Sequence, residues 1–225
     1  MKLKGIILAV CLYASSVFSY SYTAFPVMTP ENTIALNPFI YFDGTGAAGQ
    51  DIFLSYGILS NLDIWSQVSI VTVPQFGAVV DFSAMVRYDL GKSNILAIRA
   101  NQKWVAPQYH LTIENDKVGF QANVAAQITY DSYKDPAVYA ILCPLVKLFK
   151  GKMDIFTEIN PGYYMTEGDF ANLAVRQKGF GLDIVPGIGV SLGKALISIA
   201  CPIYNITTDA TPTFGMWWWC PITSK

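Results

Sequence analysis

The chain has 225 residues, 52% of them hydrophobic and only 14% charged, with 15 Lys+Arg against 16 Asp+Glu. A soluble domain carries nearer a quarter charged residues, and the near-balance of charge excludes the basic excess of a nucleic-acid binder. Aromatic residues at 14% argue against disorder, and one histidine leaves no His-based metal site or His triad to build.

Lys2 and Lys4 open the chain, an apolar run follows from Gly5 to Val17, and Val17-Phe18-Ser19 presents the −3 and −1 positions of a cleavage site. This three-part pattern predicts a secretory signal over 1–19, cut near Ser19 with Ser21 as the alternative. Leu8-Ala9-Val10-Cys11 faintly resembles a lipoprotein box, but Val10 stands where a small residue belongs. Past residue 20 no apolar stretch reaches the roughly 18 residues that a spanning helix needs. Cys143, Cys201 and Cys220 remain, an odd set that makes no disulfide framework. Cys201 and Cys220 fall on neighbouring predicted strands, where buried free thiols are expected.

The rest of the chain alternates at period two, the mark of a two-faced strand. Leu62, Ile64, Val68 and Ile70 face one way and Asp63, Trp65, Gln67 and Ser69 the other. Phe82, Ala84, Val86 and Tyr88 alternate with Asp81, Ser83, Met85 and Arg87, and Phe120, Val124 and Ile128 with Gln121, Asn123 and Gln127. The pattern continues with Ile155 and Ile159 against Asp154, Phe156, Glu158 and Asn160, then Phe180, Leu182, Ile184 and Ile188 against Gly181, Asp183, Gly187 and Gly189. Short polar or glycine-bearing turns stand at 60–61, 90–93, 114–117, 150–152 and 192–194, where Gly, Asn and Asp tolerate positive φ. Other connections fall at 43–49, 74–77, 105–107, 131–136, 165–177 and 207–211.

Strands placed between these breaks number twelve: 32–42, 50–59, 62–73, 78–89, 94–104, 108–113, 118–130, 137–149, 153–164, 178–192, 195–206 and 212–220. Several are about twice the five or six residues usual in soluble strands and match the roughly 9 to 11 that a tilted strand needs to cross a bilayer. The tight turns take every even connection and the others every odd one, as expected of an even barrel with both ends on one side. The predicted fold class is therefore all-β, an antiparallel up-and-down transmembrane β-barrel of about twelve strands. It divides into a signal (1–19), an N-terminal periplasmic segment (20–31), the barrel (32–220) and a C-terminal tail (221–225).

Over about residues 30–220 this pattern resembles the outer-membrane β-barrel proteins of Gram-negative bacteria. Tyr56-Gly57-Ile58-Leu59-Ser60-Asn61-Leu62-Asp63-Ile64 is similar to the aromatic–glycine strand end, polar turn and alternating restart of transporter and porin-like barrels of the phenol meta-pathway type. Phe214-Gly215-Met216-Trp217-Trp218-Trp219 looks like the closing aromatic strand read by the barrel-insertion machinery, although Cys220 to Lys225 then departs from that pattern. The resemblance implies an outer-membrane location, contact with outer-membrane lipid, and passive movement of small solutes, with no cofactor. Two other readings stay open: an exported structural or interaction protein without conductance (a soluble β-sandwich or a closed barrel), and a lipid-hydrolysing enzyme.

Aromatic residues at strand ends fit interface girdles. Phe42, Trp104, Tyr130 and Tyr204 are placed at the loop-side rim, and Tyr56 and Tyr88 at the turn-side rim. Two segments fit poorly. Residues 137–149 are apolar on both faces and carry Pro144, and 195–206 places Ile197, Ile199, Cys201 and Ile203 on the supposed inner face with Pro202 between them.

Catalytic signals are sparse. His110-Leu111-Thr112 puts a histidine and a hydroxyl on one strand face, similar to the His-x-Ser pair of outer-membrane phospholipases, yet Thr112 is not the usual nucleophile. Charges opposite the apolar face are more informative, because a charge toward lipid costs about 2–4 kcal/mol for Arg or Lys at mid-membrane. Asp63, Lys147 and Asp154 join the lumen and selectivity candidates Asp81, Arg87, Arg99, Lys103, Glu158 and Asp183. Hairpin register through the 90–93 turn predicts Asp81 near Lys103 and Arg99 near Met85. A hairpin centred near residue 171 sets Glu158 almost opposite Asp183, with Arg87 or Arg99 facing them across the lumen.

Overall fold

The computed structural model describes residues 28–43, 48–73, 78–130, 136–165, 168–169, 175–176, 178–192, 195–204, 206–207 and 211–223. The expected signal over 1–19 and the turns 44–47, 74–77 and 193–194 lie outside the described residues. Among those described, every regular element is a strand: β1 (Thr33–Asp43), β2 (Ala48–Leu59), β3 (Leu62–Val73), β4 (Ala78–Gly91), β5 (Asn94–Ala100), β6 (Trp104–Glu114), β7 (Val118–Thr129), β8 (Ala137–Leu148), β9 (Met153–Tyr164), β10 (Gly168–Asp169), β11 (Val175–Arg176), β12 (Gly179–Leu192), β13 (Ala195–Ala200), β14 (Ile203–Tyr204) and β15 (Thr211–Thr223).

Successive strands pair antiparallel from β1 to β9, then β9 with β12, β12 with β13 and β13 with β15. β15 in turn pairs with β1, from Thr33↔Thr223 to Asp43↔Thr213. The sheet thereby returns to its first strand, and a two-sheet sandwich is excluded. β13 and β14 occupy one position in the wall, interrupted at Cys201-Pro202, so twelve strands make the ring. β10 and β11 form a separate small hairpin beyond β9. Thr33 and Thr223 both lie at the end carrying the tight turns, as the connection parity requires.

Side chains at period two sort cleanly between an apolar outside and a mixed inside. Phe82, Val86, Leu96, Ile98, Val124, Val138, Ile155 and Ile188 are exposed, while the intervening Ser83, Met85, Arg87, Ala97, Arg99, Gln121, Asn123, Gln127, Glu158 and Asp183 are buried. The inner apolar packing runs through Phe53, Trp65, Met85, Ala97, Cys143, Leu145, Phe156, Val185 and Ala200. β8 is a wall strand whose inner face is apolar: Tyr139, Ile141, Cys143 and Leu145 point in, and Pro144 points out. A proline there costs the ladder one N–H but places no ring in the core.

Four expectations change. The break expected at 105–107 falls instead at 101–103, where Asn101 Oδ1 accepts from the backbone N–H of Lys103 (2.7 Å) and Trp104 (2.9 Å). β5 is therefore shorter, and β6 is a full wall strand rather than the short 108–113 segment. In the strand after β12, Ile199 and Cys201 face outward, and Ser198 and Ala200 face inward. The cause is register: Ile199 pairs with outward-facing Ile188, and directly opposed residues share a face. Cys201 is accordingly an exposed free thiol, and Cys220 is a partner of Leu36 at the other end of the wall, so the two do not approach each other. Finally, β15 runs on to Thr223, so Pro221 and Ile222 belong to the closing strand rather than to a tail.

Tyr56, Tyr88 and Tyr130 are exposed on the outer face, as girdle positions require, whereas Trp104 is buried inside. The side chains of Phe42 and Tyr204 lie outside the described residues.

Candidate functional site

The inner face carries two polar clusters on β2–β6. In the first, Asp63 on β3 and Arg87 on β4 are register partners. Arg87 Nε donates to Asp63 Oδ1 at 2.9 Å and Arg87 Nη2 to Asp63 Oδ2 at 2.5 Å, with neither side chain exposed. The guanidinium lies over the Trp65 ring at 4.5 Å, and Trp65 Nε1–H donates to Asp63 Oδ2 at 3.1 Å. Asp63 Oδ2 also accepts from the backbone N–H of Thr29 at 2.7 Å, so a residue ahead of β1 reaches into the barrel. A bidentate pair of this kind is the geometry for which a guanidinium is suited.

In the second cluster, Arg99 on β5 pairs in register with Met85, as expected. Its Nε donates to Ser83 Oγ at 3.2 Å and its Nη2 to Gln67 Oε1, while Ser83 Oγ donates to the same Gln67 oxygen at 3.3 Å. The guanidinium sits 5.7 Å from the Trp104 ring. Both arginines are thus backed by an indole that the turn and strand assignments bring inside. Trp104 is the first residue of β6, directly after the Asn101 turn, and its side chain is buried on the inner face.

Lys103 does not join them. It is exposed in the 101–103 turn, because β5 ends at Ala100 before the hairpin can carry it into the lumen. Its expected partner Asp81 pairs instead with Ser69 across β3, and the Asp81 side chain lies outside the described residues. Lys147 is drawn to the turn-side rim, where Nζ meets Glu114 Oε2 at 2.8 Å.

The opposite stretch of wall, β9 and β12, is acidic: Asp154, Glu158 and Asp183 are each fully buried on the inner face. Glu158 and Asp183 share that face but are not directly opposed. Asp183 pairs with Asn160 and Glu158 with Val185, a two-residue offset from the expected register. The connection between β9 and β12 centres the hairpin slightly beyond residue 171, and a shift by two keeps the face while turning an opposed pair into a diagonal one. Glycine makes room for two rings here. A Cβ on Gly187 would stand 2.3 Å from Phe156 Cζ, and one on Gly162 would stand 2.4 Å from the Tyr164 hydroxyl. The Phe156 ring therefore lies over β12, and the Tyr164 ring leans back along its own strand.

A comparison with solved structures places this architecture. The crystal structure of the COG4313 outer membrane channel from Pseudomonas putida F1 is similar over 91% of this chain and 100% of that one, with a TM-score of 0.58 at 9% identity. The fold is that of an outer-membrane β-barrel. A second similar structure, described as "Unveiling the Mechanism Behind the in-meso Crystallization of Membrane Proteins", covers 86% of this chain and 85% of its own at a TM-score of 0.45 and 10% identity. No protein-family model and no curated protein sequence matches the chain.

Within that barrel, His110 is a buried inner-face residue paired with Asn123. The His110-Leu111-Thr112 pattern therefore places its histidine on the inner face of the barrel. Among the described residues, no three His, Cys, Asp or Glu side chains come together as a metal site. The described buried charges are Asp51, Asp63, Asp154, Glu158 and Asp183 against Arg87 and Arg99, an acidic excess inside the barrel.

Proposed function

We propose that the protein is an outer-membrane channel that passes small solutes passively and favours cations. The observation that carries this reading is the ring of twelve strands with an apolar outside and a charged inside in which carboxylates outnumber guanidiniums. Exposed apolar side chains around the wall suit contact with outer-membrane lipid. The charged interior has no role in packing that apolar residues could not fill at lower desolvation cost. Acidic side chains lining a pore favour cations. Export through an N-terminal signal cut near Ser19 and assembly by the barrel-insertion machinery complete the reading. The 165–177 connection and the other loops opposite the tight turns would face the cell exterior.

Twelve strands lie between the eight whose interior side chains fill and the sixteen that leave an open channel. Arg87, His110, Phe156 and Glu158 are at most 2% exposed, so the described interior is packed at their depth. This favours, as second reading, a closed barrel without conductance. Planar-bilayer recording separates the two. The double variant Glu158→Gln, Asp183→Asn, recorded in a salt gradient, is expected to conduct with a reduced cation preference. An unchanged reversal potential in a conducting variant removes the acidic wall from the selectivity mechanism, and absence of single-channel steps in the native protein removes the channel.

A further inference from the structure

The 149–152 turn between β8 and β9 carries a side chain that its backbone does not favour. Phe149, Lys150 and Gly151 take φ values of 50°, 60° and 77° in succession, and Gly151 N–H donates to Leu148 O at 3.0 Å. Only glycine, and sometimes Asn or Asp, takes this left-handed backbone routinely, and a bulky side chain there is an outlier. Such strain persists where the surroundings offset it, and it gathers at functional sites. The protein itself offsets little of it here, because Phe149 is 73% exposed, more than any other large apolar residue described.

The same turn belongs to a basic patch. A backbone bond from Lys147 N–H to Lys117 O, 2.7 Å long, ties β8 to the neighbouring 114–117 turn. The two turns and Lys147 bring four lysines, Lys117, Lys147, Lys150 and Lys152, against two carboxylates, Glu114 and Asp116. Lys147 is taken by Glu114 at 2.8 Å. Lys117, Lys150 and Lys152 are exposed, and among the described residues none of the three forms an ion pair. Beside them Val118, Val146, Ile155, Ile188 and Ile199 pair in register across β7, β8, β9, β12 and β13. Each is between 44% and 48% exposed, so an unbroken apolar row starts next to Lys117 and Lys147 and runs along the outer face.

Cations at the rim of an apolar outer wall match one kind of partner. A lysine is a compact point charge suited to a phosphate. Its stem lets the ammonium stay at headgroup depth while the apolar surface beside it meets acyl chains. An aromatic ring is favoured at the same depth. A zwitterionic headgroup would set its own ammonium among these lysines, so a phospholipid of net negative charge fits better. We propose that the 114–117 and 149–152 turns form a binding site for an anionic phospholipid of the turn-side leaflet. Lys117, Lys150 and Lys152 hold its phosphate, Phe149 lies against its glycerol and upper acyl segment, and Val118, Val146 and Ile155 meet the chains. The bilayer then offsets the strain at Phe149 that the protein leaves. The site is on the outside of the barrel and stands whether or not the lumen conducts.

The test uses the full chain folded in neutral detergent micelles. Lipid adducts are counted by native mass spectrometry as dioleoylphosphatidylglycerol or dioleoylphosphatidylcholine is titrated in. The phosphatidylglycerol is expected to bind at least about tenfold more tightly, less than three lysines supply at roughly fivefold each near an anionic headgroup. Lys117→Gln, Lys150→Gln and Lys152→Gln together are expected to bring the two lipids within about twofold of each other, with folding checked by the folded-versus-boiled gel shift. Phe149→Asn, which suits the positive φ, should weaken both lipids by about threefold or more and leave the preference between them. Equal affinity of the native protein for the two lipids overturns the proposal, and so does a preference that survives the triple substitution. Competition by chain-free glycerophosphoglycerol at the lipid's own concentration would show a site for a soluble phosphate ester and overturn the lipid assignment.

Discussion

Arg87→Ala is expected to destabilise the barrel by about 3 kcal/mol, at the lower end of the roughly 3–5 kcal/mol that breaking a buried ion pair costs. Both partners are fully buried, so the attraction is not discounted by solvent. Arg87 supplies Asp63 with two charge-assisted hydrogen bonds, at 2.9 and 2.5 Å, and covers the Trp65 ring. After its removal Asp63 keeps the donors Trp65 Nε1–H and Thr29 N–H, both on Oδ2, which places the cost near the lower bound. Asp63→Asn in the same background removes the buried charge, so the double variant is expected to recover about 1–2 kcal/mol relative to Arg87→Ala alone. The assay is reversible urea unfolding of the barrel in phospholipid vesicles, with stability taken from the shift in midpoint at constant m. A cost for Arg87→Ala below about 1 kcal/mol, or strict additivity of the two changes, would refute the argument that this pair is a coupled unit.

Gly187→Ala inserts a methyl 2.3 Å from Phe156 Cζ and 2.9 Å from Ile199 O, and is expected to cost about 1–3 kcal/mol in the same unfolding assay. Phe156→Leu should return part of that loss, because the ring is the movable half of the clash. Val124→Arg changes an outward-facing residue near the middle of β7 and is expected to cost about 2–4 kcal/mol in vesicles. A neutral outcome there would mean that this face does not meet lipid.

The wall was legible because two independent signals repeat along it. Period-two alternation gave each strand its face, and turn chemistry gave its ends, so β3, β7 and β9 lie within a residue of expectation. The failures have local causes. Asn101-Gln102-Lys103 turns the chain just as Asn115-Asp116-Lys117 does, with an Asn side chain accepting from the N–H groups two and three residues on in each case. Only the second carries an acidic run that advertises a turn, and missing the first misplaced Lys103 and Trp104. Ile197 and Ile199 read as inner-face residues because their strand was assigned a face by content. Its register with β12 through a tight connection decides otherwise. The burial of Thr29 against Ser55 and Asp63 has no signature in the sequence, since a single threonine carries no periodicity.

The offset between Glu158 and Asp183 changes what the acidic wall can do. Directly opposed carboxylates would stand about 5 Å apart and repel by about 3 kcal/mol at an effective dielectric of about 20, whereas the diagonal places them about 7–8 Å apart and lowers this to about 2 kcal/mol. Along β9, Asp154 and Glu158 are separated by four residues, about 13 Å of strand. Three acids spaced in this way form a ladder along the lumen rather than a ring around one level. A ring binds one cation with all its charges at once, and neutralising any member collapses the site. A ladder offers successive sites, each contributing its own share to selectivity. Glu158→Gln and Asp183→Asn measured singly should therefore each reduce the reversal potential in a salt gradient, and their effects should add in the double variant. If one substitution alone abolishes cation preference and the second does nothing more, the two acids act as one constriction, and the diagonal register has not separated them in the conducting state.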